Sequence, residues 1–261
     1  MTETGQDFAV ERATRKRSLA IAFRAFARHG FDMGLAGHIT ARDPEFADCF
    51  WVNPLGMHFS RITAGDLLLV DHNSKVIHGS GSLNRAAFAI HSAIHHARPD
   101  VIAACHAHST AGRAFSAIDD VLLPLTQDSC AFFGDLAVYD EYSGVVFGED
   151  EGVRIARTLG QSKAAILRNH GLLTVGQSVE EAAWWFLSLE DCCNVQLLAR
   201  AAGTVKPMSQ EAAAHTAGQV GTTVGGKRAF GPIARMIAEM EPDALEDVEL
   251  TLREAVAQPA P

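Results

Sequence analysis

Val101-Ile102-Ala103-Ala104-Cys105-His106-Ala107-His108-Ser109 is a short apolar run that ends in two histidines spaced two apart. A run of this length reads as a buried strand. Residues 84–97 before it read as a helix. Arg98-Pro99 stops that helix, because a proline disfavours helical backbone in the residue before it. Beyond the run, residues 113–147 mix strands and turns, 149–159 read as a helix and 163–168 as a strand. A tight turn at Asn169-His170-Gly171 leads into a strand at 172–175. Ser178 and Glu181 have the spacing of a capping box, opening a helix to about residue 201. Its stripe is Ala182, Phe186, Leu189, Cys193 and Leu197, with Gly203 after it. Upstream, residues 8–29 read as a helix with Leu19, Ala22, Phe23 and Phe26 on one face and Gly30 as its stop. Strands are expected at 38–42, 49–54 and 66–71. Residues 204–228, rich in Gly, Thr, Ala and Ser, read as a mobile surface loop, 229–240 as a helix, and 255–261 as disordered. Strands alternating with helices through one continuous core predict a single α/β domain.

The chain of 261 residues carries a net charge of −9, which excludes the basic footprint of a nucleic-acid binder. Arg12, Arg15, Lys16 and Arg17 form its one dense basic run and read as a solvated helix face. No apolar stretch approaches the ~20 residues that span a bilayer, and the polar N-terminus lacks the apolar segment of a signal peptide. Five cysteines without framework spacing predict reduced thiols and a cytoplasmic location. No partner membrane or nucleic acid is expected.

On a strand, residues two apart face the same side, so His106 and His108 present both imidazoles together. With a third nitrogen from His170, at the mouth of the next strand, they match a catalytic metal site with an open position. The alternative is a polar patch of hydrogen-bonded strand histidines. His91 and His95, four apart on a helix, also share a face but lack the glutamate of the helical zinc motif. His91 reads as a buried hydrogen-bonding residue, and His95 and His96 as solvent-facing. Trp184 and Trp185 read as packing, and Gly225-Gly226 is no nucleotide fingerprint.

Five motifs then follow in order: Gly37-His-Ile-Thr40, Val52-Asn-Pro-Leu-Gly56, Ala97-Arg-Pro-Asp-Val101, Cys105-His-Ala-His-Ser109 and Arg168-Asn-His-Gly171. Through them the sequence resembles the class II aldolase/adducin family over roughly residues 10–203. The resemblance implies one aldolase/adducin-like domain at 8–240 and a partly disordered tail at 241–261. It implies a single-domain three-layer α/β/α sandwich around a mostly antiparallel central sheet. It also implies a homotetramer with active sites at subunit interfaces. His106, His108 and His170 would hold one divalent metal ion, with zinc expected first and Mn, Co or Fe open, since imidazole accepts all of them.

Departures from the family pattern shape the expected chemistry. The family's catalytic acid falls on Ala87, its phosphate-binding asparagine on His38, the Thr or Ser of its Pro-Thr/Ser-Gly turn on Leu55, and its Ser-Ser pair on Arg85-Ala86. A guanidinium and an imidazole suit a carboxylate better than a sugar phosphate. His38 and Arg85, with Gln127 and Phe132, are therefore expected to bind substrate. Cys130 falls where family aldolases place an acid/base residue lent by a neighbouring subunit. Cys130, Asp128 and Tyr139 are the candidate catalytic groups, with Tyr142 as the other tyrosine that could donate a proton. The resulting expectation is a metal-dependent carbon–carbon lyase, of decarboxylase or retro-aldol type. Its substrate would be a small carboxylated hydroxy or keto compound, aromatic or not, reacting through a metal-stabilised enolate. Two alternatives stand beside it: a non-haem iron oxygenase on the same fold, and a non-catalytic adducin-like interaction domain.

Overall fold

The computed structural model describes residues 3–144 and 149–247. Helix α1 (Glu3–Arg28) leads through a glycine-containing loop into β1 (His38–Arg42) and β2 (Phe50–Val52). Two short 3-10 turns precede β3 (Leu68–Val70) and β4 (Val76–His78). Helix α2 (Arg85–Ala97) then feeds β5 (Ala103–Ala107), which runs into the short helix α3 (Thr110–Ser116). A 3-10 turn at Asp128–Phe132, β6 (Leu136–Tyr139), α4 (Glu149–Leu159), β7 (Ala164–Leu167) and β8 (Gly171–Gly176) follow. Helices α5 (Val179–Ala202), α6 (Gln210–Val220) and α7 (Thr223–Met240) complete the ordered elements, with a last 3-10 turn at Pro242–Leu245.

The eight strands form one sheet in the order β4-β3-β2-β1-β5-β8-β7-β6, antiparallel throughout except for β6 beside β7. The mixed α/β architecture and the mostly antiparallel sheet are those expected. β5 sits near the centre, wholly buried and built mainly from alanines, so helices can close on both faces. On one face Cys105 and Ala107 join α1, α5 and α7 in the main core, around Phe23, Phe26, Trp51, Trp185 and Phe186. On the other, Ala104, Leu173 and Val175 pack against Ile90 and Ile94 of α2 and Ile155 and Leu159 of α4. Alternation along one strand thus supplies both layers of the sandwich.

Several local readings are corrected. Residues 204–228 are not a loop: they contain α6 and the start of α7. Ser209 caps α6 by accepting from the Ala212 N–H, and Thr222 caps α7 by accepting from the Gly225 N–H. Gly226 serves close packing here, since a Cβ on it would lie 2.6 Å from the Trp185 ring. Residues 113–147 include the end of α3, and β4 was not anticipated. Arg12 and Lys16 are buried rather than solvated. Arg12 grips Asp43 in a two-point ion pair, and Lys16 meets Asp247 and lies over the Trp51 ring. Ser178 accepts from the Glu181 N–H as expected, but the Glu181 carboxylate turns to the Gln177 N–H and the Trp185 indole. Residues 241–247 of the expected tail are docked on α1, through Arg24 to Glu241 and Asp243. The disorder expected at 255–261 falls outside the described residues. All five cysteines are unpaired and buried. Among the described residues, no helix is long and apolar enough to cross a membrane.

Candidate metal centre

His106 takes its place from strand alternation. Its neighbours Cys105 and Ala107 belong to the main core, so the His106 side chain emerges on the α2/α4 face. There it is almost fully buried, with Nδ1 2.8 Å from the Leu172 carbonyl oxygen of β8. A carbonyl can only accept, so Nδ1 carries the proton and Nε2 keeps the lone pair a metal requires.

His108 follows the end of β5, immediately before α3. The first turn of α3 is tied down by Glu190 of α5. The Glu190 carboxylate accepts from the Ser109 hydroxyl, from the Ala111 N–H at 2.8 Å and from the Gly112 N–H at 2.6 Å. Free N–H groups at a helix start welcome such an anion. Glu190 therefore holds the backbone on which His108 is mounted.

His170 lies in the turn between β7 and β8. Asn169 adopts the left-handed conformation at φ 56°, which asparagine tolerates better than most residues. The Asn169 N–H donates to the Ser116 carbonyl at 3.0 Å, and the Arg168 guanidinium donates to the carbonyls of Ile118 and Asp120. The turn is thereby fastened to the loop that leaves α3.

These three placements converge. The ring centroids of His106, His108 and His170 lie 5.2, 4.7 and 4.9 Å apart, and their ligand nitrogens lie within 4.8 Å of one another. Among the described residues this is the one group of three or more side chains arranged to hold a metal ion, and it contains no carboxylate. Burial pushes the His106 and His170 imidazoles down, helped by repulsion from neighbouring rings; His170 falls to about 4. His108 is lowered by burial and by the Arg113 cation. All three are neutral at pH 7, the state that metal binding demands. The residues fit a divalent ion through three imidazole nitrogens.

A fourth ring stands beside them. His38 on β1 pairs in register with His106, and their ring centroids are 5.0 Å apart. Gly37 makes this approach possible. It has φ 103°, and a Cβ there would lie 3.3 Å from the His106 carbonyl oxygen and 3.1 Å from the Phe59 ring. His38 Nδ1 lies 2.7 Å from His91 Nε2 on α2. His91 is fully buried, as its hydrogen-bonding role requires. His95 is buried too, contrary to expectation, while His96 is exposed. One helical turn separates His91 from His95, so both face β1, where the Thr40 hydroxyl lies 2.7 Å from His91 Nδ1 and 2.9 Å from His95 Nε2.

The remaining candidates are dispersed. Tyr139 is buried in the second core, and its hydroxyl accepts from Arg154 at 3.4 Å. Tyr142 is half exposed, with its ring 6.4 Å from that of His170, so it is the tyrosine beside the trio. Phe132 packs edge-to-face on Trp185 within the main core. Cys130 is buried against the Thr126 carbonyl and the Met208 sulfur, with its thiol pushed up by burial and by Asp128. Gln127 and Asp128 are exposed, and Arg85 opens α2 at the surface.

Residues 17–197 match the family described as Class II Aldolase and Adducin N-terminal domain. The chain belongs to the class II aldolase/adducin family. Its relatives include the 4-hydroxy-3-prenylphenylpyruvate oxygenase/4-hydroxy-3-prenylbenzoate synthase of Streptomyces roseochromogenus subsp. oscitans. That protein is 49% identical, over 90% of this chain and 86% of the relative. Decarboxylase NovR of Streptomyces niveus is 48% identical, over 90% and 88%. Among solved structures, an L-fuculose 1-phosphate aldolase from Glaciozyma antarctica PI12 shares 45% identity at a TM-score of 0.85, covering 91% of this chain and 93% of that one. The homologues named decarboxylase and aldolase support an enzyme of the class II aldolase superfamily.

Within this aldolase/adducin fold, three contributors escaped the sequence reading. Glu190, Thr40 and His95 act on the site from α5, β1 and α2; spacing puts Thr40 on the face of His38 and His95 on the face of His91, but nothing along the chain connects Glu190 to the first turn of α3. Ser109 and Glu190 are 81 residues apart.

Proposed function

We propose that this protein is a metal-dependent decarboxylase of a small aromatic carboxylate that carries a neighbouring keto or hydroxyl oxygen. The observation that carries this reading is the donor set: three neutral imidazoles and no carboxylate at the centre among the described residues. Neutral ligands leave the whole charge of a divalent ion uncompensated, which favours an anionic substrate able to offer two oxygens. A bound divalent ion would supply a Lewis acid for negative charge that develops on the substrate. The chain's own groups do the rest. Glu190 and the Asn169 turn hold the imidazoles in place, His38 presents a ring nitrogen to the site, and Tyr142 is the nearest phenol for returning a proton to carbon.

Ala87 supports decarboxylation over aldol cleavage. Aldol cleavage must remove a hydroxyl proton, for which the family uses the acid that is alanine here, whereas loss of CO₂ needs only an electron sink and a later proton. The name of the Streptomyces roseochromogenus relative agrees with a carboxylated aromatic substrate, and that of Decarboxylase NovR with loss of CO₂. We place the active protein in a homotetramer, with the exposed Asp128, Gln127 and Arg85 available to a neighbouring subunit's site and the buried Cys130 not, and in the cytoplasm.

A second reading, a non-haem iron oxygenase, is favoured by the name of the 49% identical relative. One experiment separates the two. Zinc-, manganese- and iron-loaded protein is given 2,4-dihydroxybenzoate, whose hydroxylated ring can take up the electrons left by CO₂, and separately 4-hydroxyphenylpyruvate, each with and without oxygen, and CO₂ release is measured. Equal rates under nitrogen with zinc or manganese support the decarboxylase. Turnover that needs both Fe(II) and oxygen replaces it with the oxygenase. Efficient cleavage of fuculose 1-phosphate would overturn both.

A further inference from the structure

Arg113 belongs to α3, the helix that starts just after His108. Helical side chains lean back towards the N-terminus of their helix. Arg113 does so: its Nε donates to the carbonyl of Ser109, the residue next to His108, at 3.4 Å. The guanidinium therefore lies over the turn that carries a metal-binding imidazole. Its charge is felt there, since the Arg113 cation, after burial, depresses His108. The far end of α3 is fastened to the other metal-bearing turn, where the Asn169 N–H meets the Ser116 carbonyl at 3.0 Å. Arg113 and Ser116 are three apart and share a face of the helix.

This guanidinium lacks an anion. The other arginines sheltered from solvent among the described residues have partners. Arg12, Arg15, Arg24, Arg98, Arg154 and Arg168 meet carboxylates. Arg42 donates to the carbonyls of Val101, Ala47, His95 and Arg98. Arg113 is half-buried too, yet among the described residues its one bond is the long one to Ser109, and no carboxylate pairs with it. Glu190, the acid that reaches α3, is committed to the Ser109 hydroxyl and to the N–H groups of Ala111 and Gly112. The histidine trio adds no carboxylate. A partly desolvated cation without a counter-charge is costly, and an incoming anion removes that cost.

We propose that Arg113 is a specificity-determining residue that binds the carboxylate of the substrate beside the histidine trio and selects acids over their neutral analogues. Its planar fork can meet both carboxylate oxygens at once, which an ammonium cannot do. Arg85, for which the sequence suggested this role, opens α2 at the surface. That the anion is an aromatic carboxylate rests on the decarboxylase reading above; that Arg113 receives an anion does not.

The test is calorimetric titration of the zinc-loaded protein with 2,4-dihydroxybenzoate, with its neutral amide, and with oxalate. Arg113→Gln removes the charge, and Arg113→Lys keeps the charge without the fork. Arg113→Gln should bind both anions about thirtyfold more weakly, as expected for a lost charge-assisted pair. Arg113→Lys should fall in between, while the amide binds all three proteins alike, at unchanged zinc content and melting temperature. Parental affinity for the anions in Arg113→Gln overturns the proposal. Equal weakening of acid and amide also overturns it, by reducing Arg113 to a part of the fold. Should Arg113→Gln not fold, Arg113→Lys decides, since loss of the fork must still weaken the anions and spare the amide. Binding of oxalate alone, lost in Arg113→Gln, would sink the aromatic substrate and keep the role of Arg113. Failure of the parent protein to bind either anion overturns the role itself.

Discussion

Lowering the pH of the metal-free protein from 7 to 5.5 should cost a large part of its stability. Four almost fully buried histidines carry most of the effect, and His170, lowered to about 4, adds a fifth ring of similar size. His38, His91 and His106 are pushed well below the ordinary imidazole value by burial first and by neighbouring rings second, and His95 falls to about 3 through burial and Arg42. In the unfolded chain each would titrate near about 6.5. The sign follows from proton counting. Between 6.5 and the folded value the unfolded chain binds a proton that the native state refuses, so acid favours unfolding. Stability is full above 6.5, declines as the pH falls, and levels off only below the folded values. From pH 7 to 5.5 the linkage costs about 1.3 kcal/mol per ring, or roughly 5 kcal/mol for four. Total stabilities of about 5–15 kcal/mol make this decisive. Urea unfolding with a chelator present, at one protein concentration and several pH values, measures it. His95→Gln removes one titrating ring and should shrink the drop by about 1.3 kcal/mol, whatever it does to stability at pH 7. A drop under about 1 kcal/mol in the parent protein would refute the assignment of these rings as neutral and buried.

Other consequences are more local. His106→Ala should lose bound zinc while the fold survives, and His91→Ala should keep it; metal analysis with circular dichroism checks both, and the reverse pattern would move the metal to α2. Glu190→Ala leaves the Ala111 and Gly112 N–H groups without their acceptor, so it should destabilise by about 1–3 kcal/mol and weaken zinc binding. Unchanged zinc affinity in a destabilised variant would limit Glu190 to a structural role. Gly226→Ala forces a methyl to within 2.6 Å of Trp185 and should cost about 1–3 kcal/mol in thermal unfolding. A neutral result there would mean that α7 does not pack on α5 as described.

The parts of the site that were readable in advance are those governed by short-range rules. The two-residue spacing of His106 and His108 carries their common direction, because a strand alternates faces. The Asn169-His170-Gly171 turn is likewise a local signal. Glycine and threonine make residues 204–228 read as a loop, whereas the segment holds α6 and the start of α7. Thr222 in fact caps α7 through the Gly225 N–H, a local role, whereas Gly226 lies under an indole 41 residues away in sequence. His95 was misassigned for the same kind of reason. Helical periodicity puts it on the face of His91, but which face is buried is settled by the strand that packs there.

Residue order alone thus carried the α/β class, the family, and the three imidazoles suited to a metal, because periodicity and motif spacing are properties of neighbours along the chain. Only the folded chain decided which side chains stand behind them. Antiparallel pairing of β1 with β5 brings His38 opposite His106. Packing of α2 over β1 joins His91 and His95 through Thr40, and α5 delivers Glu190 to the first turn of α3. These contacts join residues 51 to 79 positions apart, and burial, which shifts every one of these imidazoles, is a property of the packed whole.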